Sequence, residues 1–173
     1  RVLLYDAAFA PLVEMMKPKW TTIEHYIVYD PPADWTGADI GFEEWIGQAD
    51  DNYRWVDGDE RDPCGLCYTS GTTGNPKGVL YEHRSTMLHA ISGVQPHAFD
   101  FDAQSVMLPV VPMFHAASWG LPWGGAATGV KFVYSAVNDP KVLHDLMIRE
   151  SVTHSAGVPT VWLSIFQHLD ATG

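Results

Sequence analysis

The eleven residues from Tyr68 to Gly78 read Tyr-Thr-Ser-Gly-Thr-Thr-Gly-Asn-Pro-Lys-Gly and hold no large apolar side chain after Tyr68. Runs with strand character flank them, Cys64 to Tyr68 before and Val79 to Tyr81 after, so the segment reads as a loop between two strands. Its glycines let backbone N–H groups converge on an anion. Thr69, Ser70, Thr72 and Thr73 can add hydroxyl donors, and Lys77 adds a compact positive charge suited to a polyphosphate. The composition points to phosphate oxygens, with an unliganded hairpin turn as the plain alternative for any single piece. It is not a Walker A loop: Pro76 stands where a glycine should precede the lysine, Gly78 replaces the following Ser or Thr, and a strand follows instead of a helix.

Around this loop, strand and helix signals alternate. Val2 to Tyr5 is a strand. The next helix holds Pro11 in its first turn, with Leu12, Val13 and Met16 on one face, and stops at Lys17-Pro18. A strand at Tyr26 to Tyr29 and a short helix through Phe42, Trp45, Ile46 and Ala49 follow. Asp50 to Pro63 is a polar, turn-rich connector. After the loop come a helix from His83 to Ser92 capped by Gly93, a doubly buried strand from Ser105 to Val111 and a strand from Val130 to Tyr134. Asp139 caps a helix with Leu143, Leu146 and Met147 inward. A strand at Thr153 to Ala156 leads to a last helix with Trp162, Ile165, Phe166 and Leu169 on one stripe. The pattern predicts an α/β fold, a mostly parallel sheet with helices on both faces, in one region spanning 1–173. Ligands on such sheets gather at the carboxyl ends of strands.

Charge and cysteine content narrow the partners. The chain of 173 residues carries −11, and residues 1–62 hold 14 of its 21 acids and 5 of its 10 bases, leaving that acidic lead-in at −9 and residues 63–173 at −2. The acid excess argues against nucleic acid, and the near-neutral half suits a polyanion; an acidic solvated surface without a message is the bland alternative. No apolar run is long enough to span a membrane, and no signal peptide opens the chain. Cys64 and Cys67, three apart on a strand, should point to opposite faces as buried core thiols, which suits a reducing cytoplasm. The histidines show no metal spacing. The chain starts at Arg1 directly in a strand, which suggests a piece of a longer protein.

Two later stretches sit where the site should be. Val111-Pro112-Met113-Phe114-His115-Ala116-Ala117-Ser118-Trp119-Gly120 follows the buried strand and reads as a helix start, with His115 and Trp119 stacked four apart on one face. Ordinary core packing is the alternative for these aromatics and for Trp123. Gly157-Val158-Pro159-Thr160 is a turn. The preceding Thr153-His154-Ser155-Ala156-Gly157 lacks the first glycine of a nucleophile elbow, so a serine hydrolase is a poor fit.

The run from Tyr68 to Val79 resembles the signature loop of the adenylate-forming superfamily: acyl-CoA synthetases, peptide-synthetase adenylation domains and firefly-type luciferases. The Phe114, His115 and Trp119 stretch and Val158-Pro159-Thr160 resemble two further motifs of the acyl-CoA synthetases, above all those acting on medium and long chains. The resemblance implies part of the large N-terminal domain, with Thr69, Ser70, Gly71, Thr72, Thr73, Gly74 and Lys77 on the ATP phosphates. It implies Thr69 at a magnesium ion; Phe114, His115 and Val158 at the acyl site; and Trp119 as its gate. It also implies ATP, Mg2+ and coenzyme A, with a small-molecule carboxylate, a fatty or other apolar acid, as substrate, and leaves a homodimer open. Other members, an aryl-acid ligase or a peptide-synthetase adenylation domain, and a noncatalytic nucleotide-binding module stand as alternatives. The downstream metal-binding glutamate, the ribose-binding aspartate and the C-terminal domain with its lysine have no counterpart in 1–173, so this stretch alone is expected to be inactive.

Overall fold

In the computed structural model, which describes residues 1–69 and 74–172, β1 (Val2–Asp6) lies parallel to β2 (His25–Tyr29), and β2 to the two-residue β3 (Ile40–Gly41). Between β1 and β2 runs α1 (Ala10–Met16), with proline in its first turn, and α2 (Phe42–Ile46) follows β3 with Glu43 and Glu44 at its positive end. Tyr5, Val13 and Val28 form the buried centre of this part. Leu12, expected to share the buried face with Val13, is exposed. Adjacent helical residues stand about 100° apart, and a helix of this length against one small sheet buries a narrow stripe. The Tyr5 hydroxyl donates to Asp39 at 2.6 Å and Lys17 to the other oxygen of the same carboxylate at 2.8 Å, pinning the segment before β3 to β1 and to the turn just after α1. Burial first, then the Asp39 carboxylate, push the Tyr5 phenol well above its ordinary range.

By internal contacts the chain separates into two units, Arg1–Asp57 and Gly58–Gly173, the division falling inside the polar connector. In the second unit β4 (Pro63–Thr69) and β5 (Lys77–Glu82) pair antiparallel, and α3 (His83–Gly93) follows. Then come β6 (Val106–Pro109), α4 (Ala116–Trp119), α5 (Leu121–Thr128), β7 (Lys131–Phe132), α6 (Pro140–Arg149), β8 (His154–Ala156) and α7 (Pro159–Thr172). The order β7-β6-β8 is parallel throughout. Parallel pairing is thus shared between two three-stranded sheets, and the loop-bearing strands form a hairpin of their own.

The apolar run after Ser105 is explained by its alternation. Leu108 and Val110 pack with Leu143 and Leu146 of α6 and Ile165 of α7, while Met107 and Val111 pack with Phe101 and Leu121 of α5. Helices therefore cover both faces of this sheet, as an α/β layer requires. Asp139 caps α6 by accepting from the N–H groups of Lys141 and Val142 at 3.0 and 3.1 Å. Two expectations fail in detail. Phe166 is exposed, because the stripe of α7 centres on buried Ile165 with Trp162 and Leu169 at its margins. Gly93 is not a left-handed cap: α3 runs through it to Val94 in right-handed conformation, and its N-terminus is held by a capping box between Glu82 and Ser85. No helix among the described residues is long and apolar enough to cross a membrane.

Candidate active site

The β4–β5 hairpin pairs Gly65 with Tyr81, Cys67 with Val79 and Thr69 with Lys77. Residues directly opposite in an antiparallel pair share a face, and so do residues two apart on one strand, so all six lie on one side of the hairpin. Thr69 and Lys77 close its open end, where the loop departs. Lys77 is exposed and makes no ion pair among the described residues. Gly74 has a φ of +127°, a conformation L side chains rarely adopt. Ser70, Gly71, Thr72 and Thr73, the centre of the expected phosphate cradle, lie outside the described residues. On the opposite face the Tyr68 ring covers Gly78, with ring carbons 3.5 Å from where a Cβ would stand.

The same face of the hairpin walls a cavity of about 420 Å³. Cys64, Gly65, Cys67 and Tyr81 come from the hairpin, Ser85, Thr86 and His89 from α3, and Ala116, Ala117, Trp119, Gly120 and Trp123 from the far side. The lining is mostly apolar, as in pockets for hydrocarbon ligands. The cysteines are not the buried core thiols on opposite faces that the strand period suggests. Both are free, Cys64 exposed and Cys67 partly so, and both border the cavity. A register shift between Pro63 and Gly65 inserts one residue into β4. That bulge breaks the two-residue alternation and turns Cys64 to the cavity side, its sulfur 3.2 Å from the Thr86 hydroxyl.

The far wall departs from the expected right-handed helix. Ala116, Ala117, Ser118 and Trp119 have φ between +47° and +57°, and Gly120 continues at +76°, which makes α4 a single left-handed turn. Such a conformation costs roughly 1–2 kcal/mol per non-glycine residue. Partners hold it in place. Fully buried Ser118 donates its hydroxyl to the carbonyl of Val111 at 3.1 Å, and Nε2 of His89 meets the carbonyl of Trp119 at 2.9 Å. Gly120 is required twice, by its φ and because a Cβ would stand 2.4 Å from the His89 ring.

The sequence candidates are therefore brought together only in part. Trp119 lines the cavity; Thr69 and Lys77 sit on the same hairpin face beyond it. Phe114 and His115 are exposed and do not line the cavity, since the chain enters the left-handed turn after His115 in extended conformation. Val158, also exposed, lies in the turn between β8 and α7, likewise outside the cavity lining. Gly65, Thr86, His89 and Trp123 went unrecognised as cavity-lining residues. Only Trp123 had a usable signal, four residues after Trp119; the others are placed by the bulge and by the packing of α3 on the hairpin.

Comparison with known proteins agrees with this architecture. The profile of the family described as AMP-binding enzyme matches residues 2–172. The 3-methylmercaptopropionyl-CoA ligase of Ruegeria pomeroyi is 41% identical over 100% of this chain and 33% of its own length. The medium-chain-fatty-acid–CoA ligase of Ectopseudomonas oleovorans is 41% identical over 94% of this chain and 31% of its own. The long-chain-fatty-acid–CoA ligase of Thermus thermophilus is 40% identical over 100% and 31%. In fold, the crystal structure of a long-chain-fatty-acid-CoA ligase from Archaeoglobus fulgidus superposes with a TM-score of 0.83 at 21% identity, covering 99% of this chain and 33% of that one. The chain spans about a third of the length of the curated relatives it matches. With a family profile that covers nearly every residue and relatives of this identity, the chain belongs to the AMP-binding enzymes.

Proposed function

We propose that this chain is a slice of the large N-terminal domain of an ATP-dependent acyl-CoA ligase, which activates an apolar carboxylate as its acyl-adenylate and passes the acyl group to coenzyme A. The observation that carries this reading is the single hairpin face that walls an apolar cavity and ends, beyond it, in the Thr69/Lys77 pair. Strand rise puts Thr69 about 7 Å beyond Cys67 along β4, so a chain lying in the cavity would bring its carboxylate toward the loop. The names of the relatives at 40–41% identity, ligases of medium-chain, long-chain and methylmercaptopropionyl acids, support the reaction class.

In this reading Lys77, Gly74 and the segment Ser70, Gly71, Thr72, Thr73 hold the ATP phosphates. The carboxylate attacks the α-phosphorus, the bond to the pyrophosphate oxygen breaks, and the leaving charge is spread over Lys77 and the loop donors. The adenylate then yields its acyl group to a thiol. Mg2+ would meet one hard oxygen here, the Thr69 hydroxyl, consistent with an ion that takes few protein ligands and adds charge neutralisation at the phosphates. Among the described residues, no group of three His, Cys, Asp or Glu could hold a metal by itself. Trp119, in the cavity wall, stands as the gate, with Phe114, His115 and Val158 as acyl-side residues of the complete enzyme.

A short substituted acid is the second reading, favoured by the two methylmercaptopropionyl-CoA ligases at 41% and 38% identity. Pyrophosphate release by the full protein carrying this chain, measured against a panel of straight-chain, thioether and aromatic carboxylates, separates the two. Lys77→Ala should lower ATP–pyrophosphate exchange about 10- to 150-fold, the worth of one or two charge-assisted hydrogen bonds. An unchanged exchange rate would remove Lys77 from the phosphate site.

A further inference from the structure

We propose that Gly65 sets the length of acyl chain the cavity accepts, a specificity role that rests on reading the cavity as the acyl site. A glycine inside a strand weakens it, and two structural needs ordinarily excuse one: a positive φ, or a neighbour too close for a Cβ. Gly65 has neither. Its φ lies outside the left-handed range, and a Cβ built on it would meet no described atom within 4 Å.

The contrast with the other glycines is sharp. Gly78, on the partner strand, would put a Cβ 3.1 Å from Leu66, Gly120 would meet His89 at 2.4 Å, and Gly125 would meet Phe132 at 2.2 Å. Gly74 has open space but a φ of +127°. Among the described glycines, Gly65 alone combines an ordinary backbone with empty surroundings. That empty space is the cavity, which Gly65 lines between Cys64 and Cys67 and beside its cross-strand partner Tyr81. Ala116, Ala117 and Gly120 keep the opposite wall small as well, and Trp119 and Trp123 bound it. The missing side chain is therefore room for ligand. A Cβ there would project into that room without meeting protein, and a β-branched residue suits a strand.

The series Gly65→Ala, Gly65→Val and Gly65→Ile tests this in the full protein. Activity toward the longest acids accepted by the wild type should fall progressively, reaching for isoleucine at least the about 10- to 200-fold in kcat/KM that a hydrophobic pocket gives for a single misfit methylene. Short acids should keep kcat/KM within about threefold, and thermal stability should hold or rise. A second readout needs no turnover: alkylation of Cys64 and Cys67 by N-ethylmaleimide, followed by mass spectrometry, with acids of stepped length present. In the wild type, longer acids should shield the thiols; in Gly65→Ile, only shorter ones should. If shielding and chain-length profile are the same in wild type and Gly65→Ile, or if all acids lose equally, Gly65 is not a length determinant while the acyl-site reading stands. If no acid shields the wild-type thiols, the cavity is not the acyl site and both readings fall.

Discussion

Gly120→Ala tests the left-handed turn that carries Trp119 into the cavity. At φ +76° an alanine pays the left-handed penalty of roughly 1–2 kcal/mol. Its Cβ would also stand 2.4 Å from Cδ2 of His89, so the imidazole must swing away and give up the 2.9 Å contact to the carbonyl of Trp119. An exposed hydrogen bond of this kind is worth about 0.5–1.5 kcal/mol, so the substitution should cost about 1.5–3.5 kcal/mol in all. His89→Ala removes the same bond and also the obstacle. Once it is made, Gly120→Ala should cost only the backbone term, and the double variant should be less destabilised than the sum of the singles by about 0.5–1.5 kcal/mol. Urea unfolding of the four proteins measures the cycle. Additivity within about 0.3 kcal/mol, or a Gly120→Ala cost below about 0.5 kcal/mol, would refute the link between His89 and the turn.

Trp119→Ala should change the dependence of adenylation on acid length while activity toward short acids is largely kept; identical chain-length profiles would discard the gate. Leu108→Ala, at a fully buried position of the central strand, should cost about 2–5 kcal/mol in urea unfolding, whereas Leu80→Ala on the exposed hairpin face should stay within about 0.5 kcal/mol. Acid should also destabilise the fold in a defined window. The Gln104 N–H and the Ser105 hydroxyl hold the Asp102 carboxyl below its ordinary 3.8, and Lys131, then Arg149, hold Glu150 below 4.5. Carboxyls depressed in the folded state stabilise it fully above their ordinary values and lose that contribution as pH falls through the folded ones. Unfolding monitored from pH 7 downward should therefore steepen below about 4.5, and Asp102→Asn should flatten the limb below 3.8 without changing the slope near neutrality.

The parts of the fold that could be read from sequence are those governed by local chemistry or by burial on both faces. Asp139-Pro140 announced α6, and the run from Val106 to Val111 announced a covered strand, because each rule there acts within a few residues. The strand-to-strand setting of the loop was legible where alternation holds, and it puts Thr69 opposite Lys77 at the ends of β4 and β5. It was not legible where the backbone departs from a regular period. One extra residue at Cys64 turned that expected core thiol to the cavity side, next to Cys67. Ala116-Ala117-Ser118-Trp119 has no glycine to signal a left-handed turn; it is held by Ser118 bonding back to Val111 and by His89 from α3, thirty residues before Trp119. His115 and Trp119 were expected to stack on a right-handed helical face that does not form.

The pairing of Thr69 with Lys77 and of Gly65 with Tyr81 also makes the hairpin a length standard. Because side chains alternate with a period of two, sliding β4 by one residue against β5 would leave every residue chemically intact, yet turn Thr69 away while Lys77 stayed. An insertion of one residue between Cys67 and Thr69 should therefore uncouple the two ends of the face, and an insertion of two should restore the facing while lengthening the reach by one pleat.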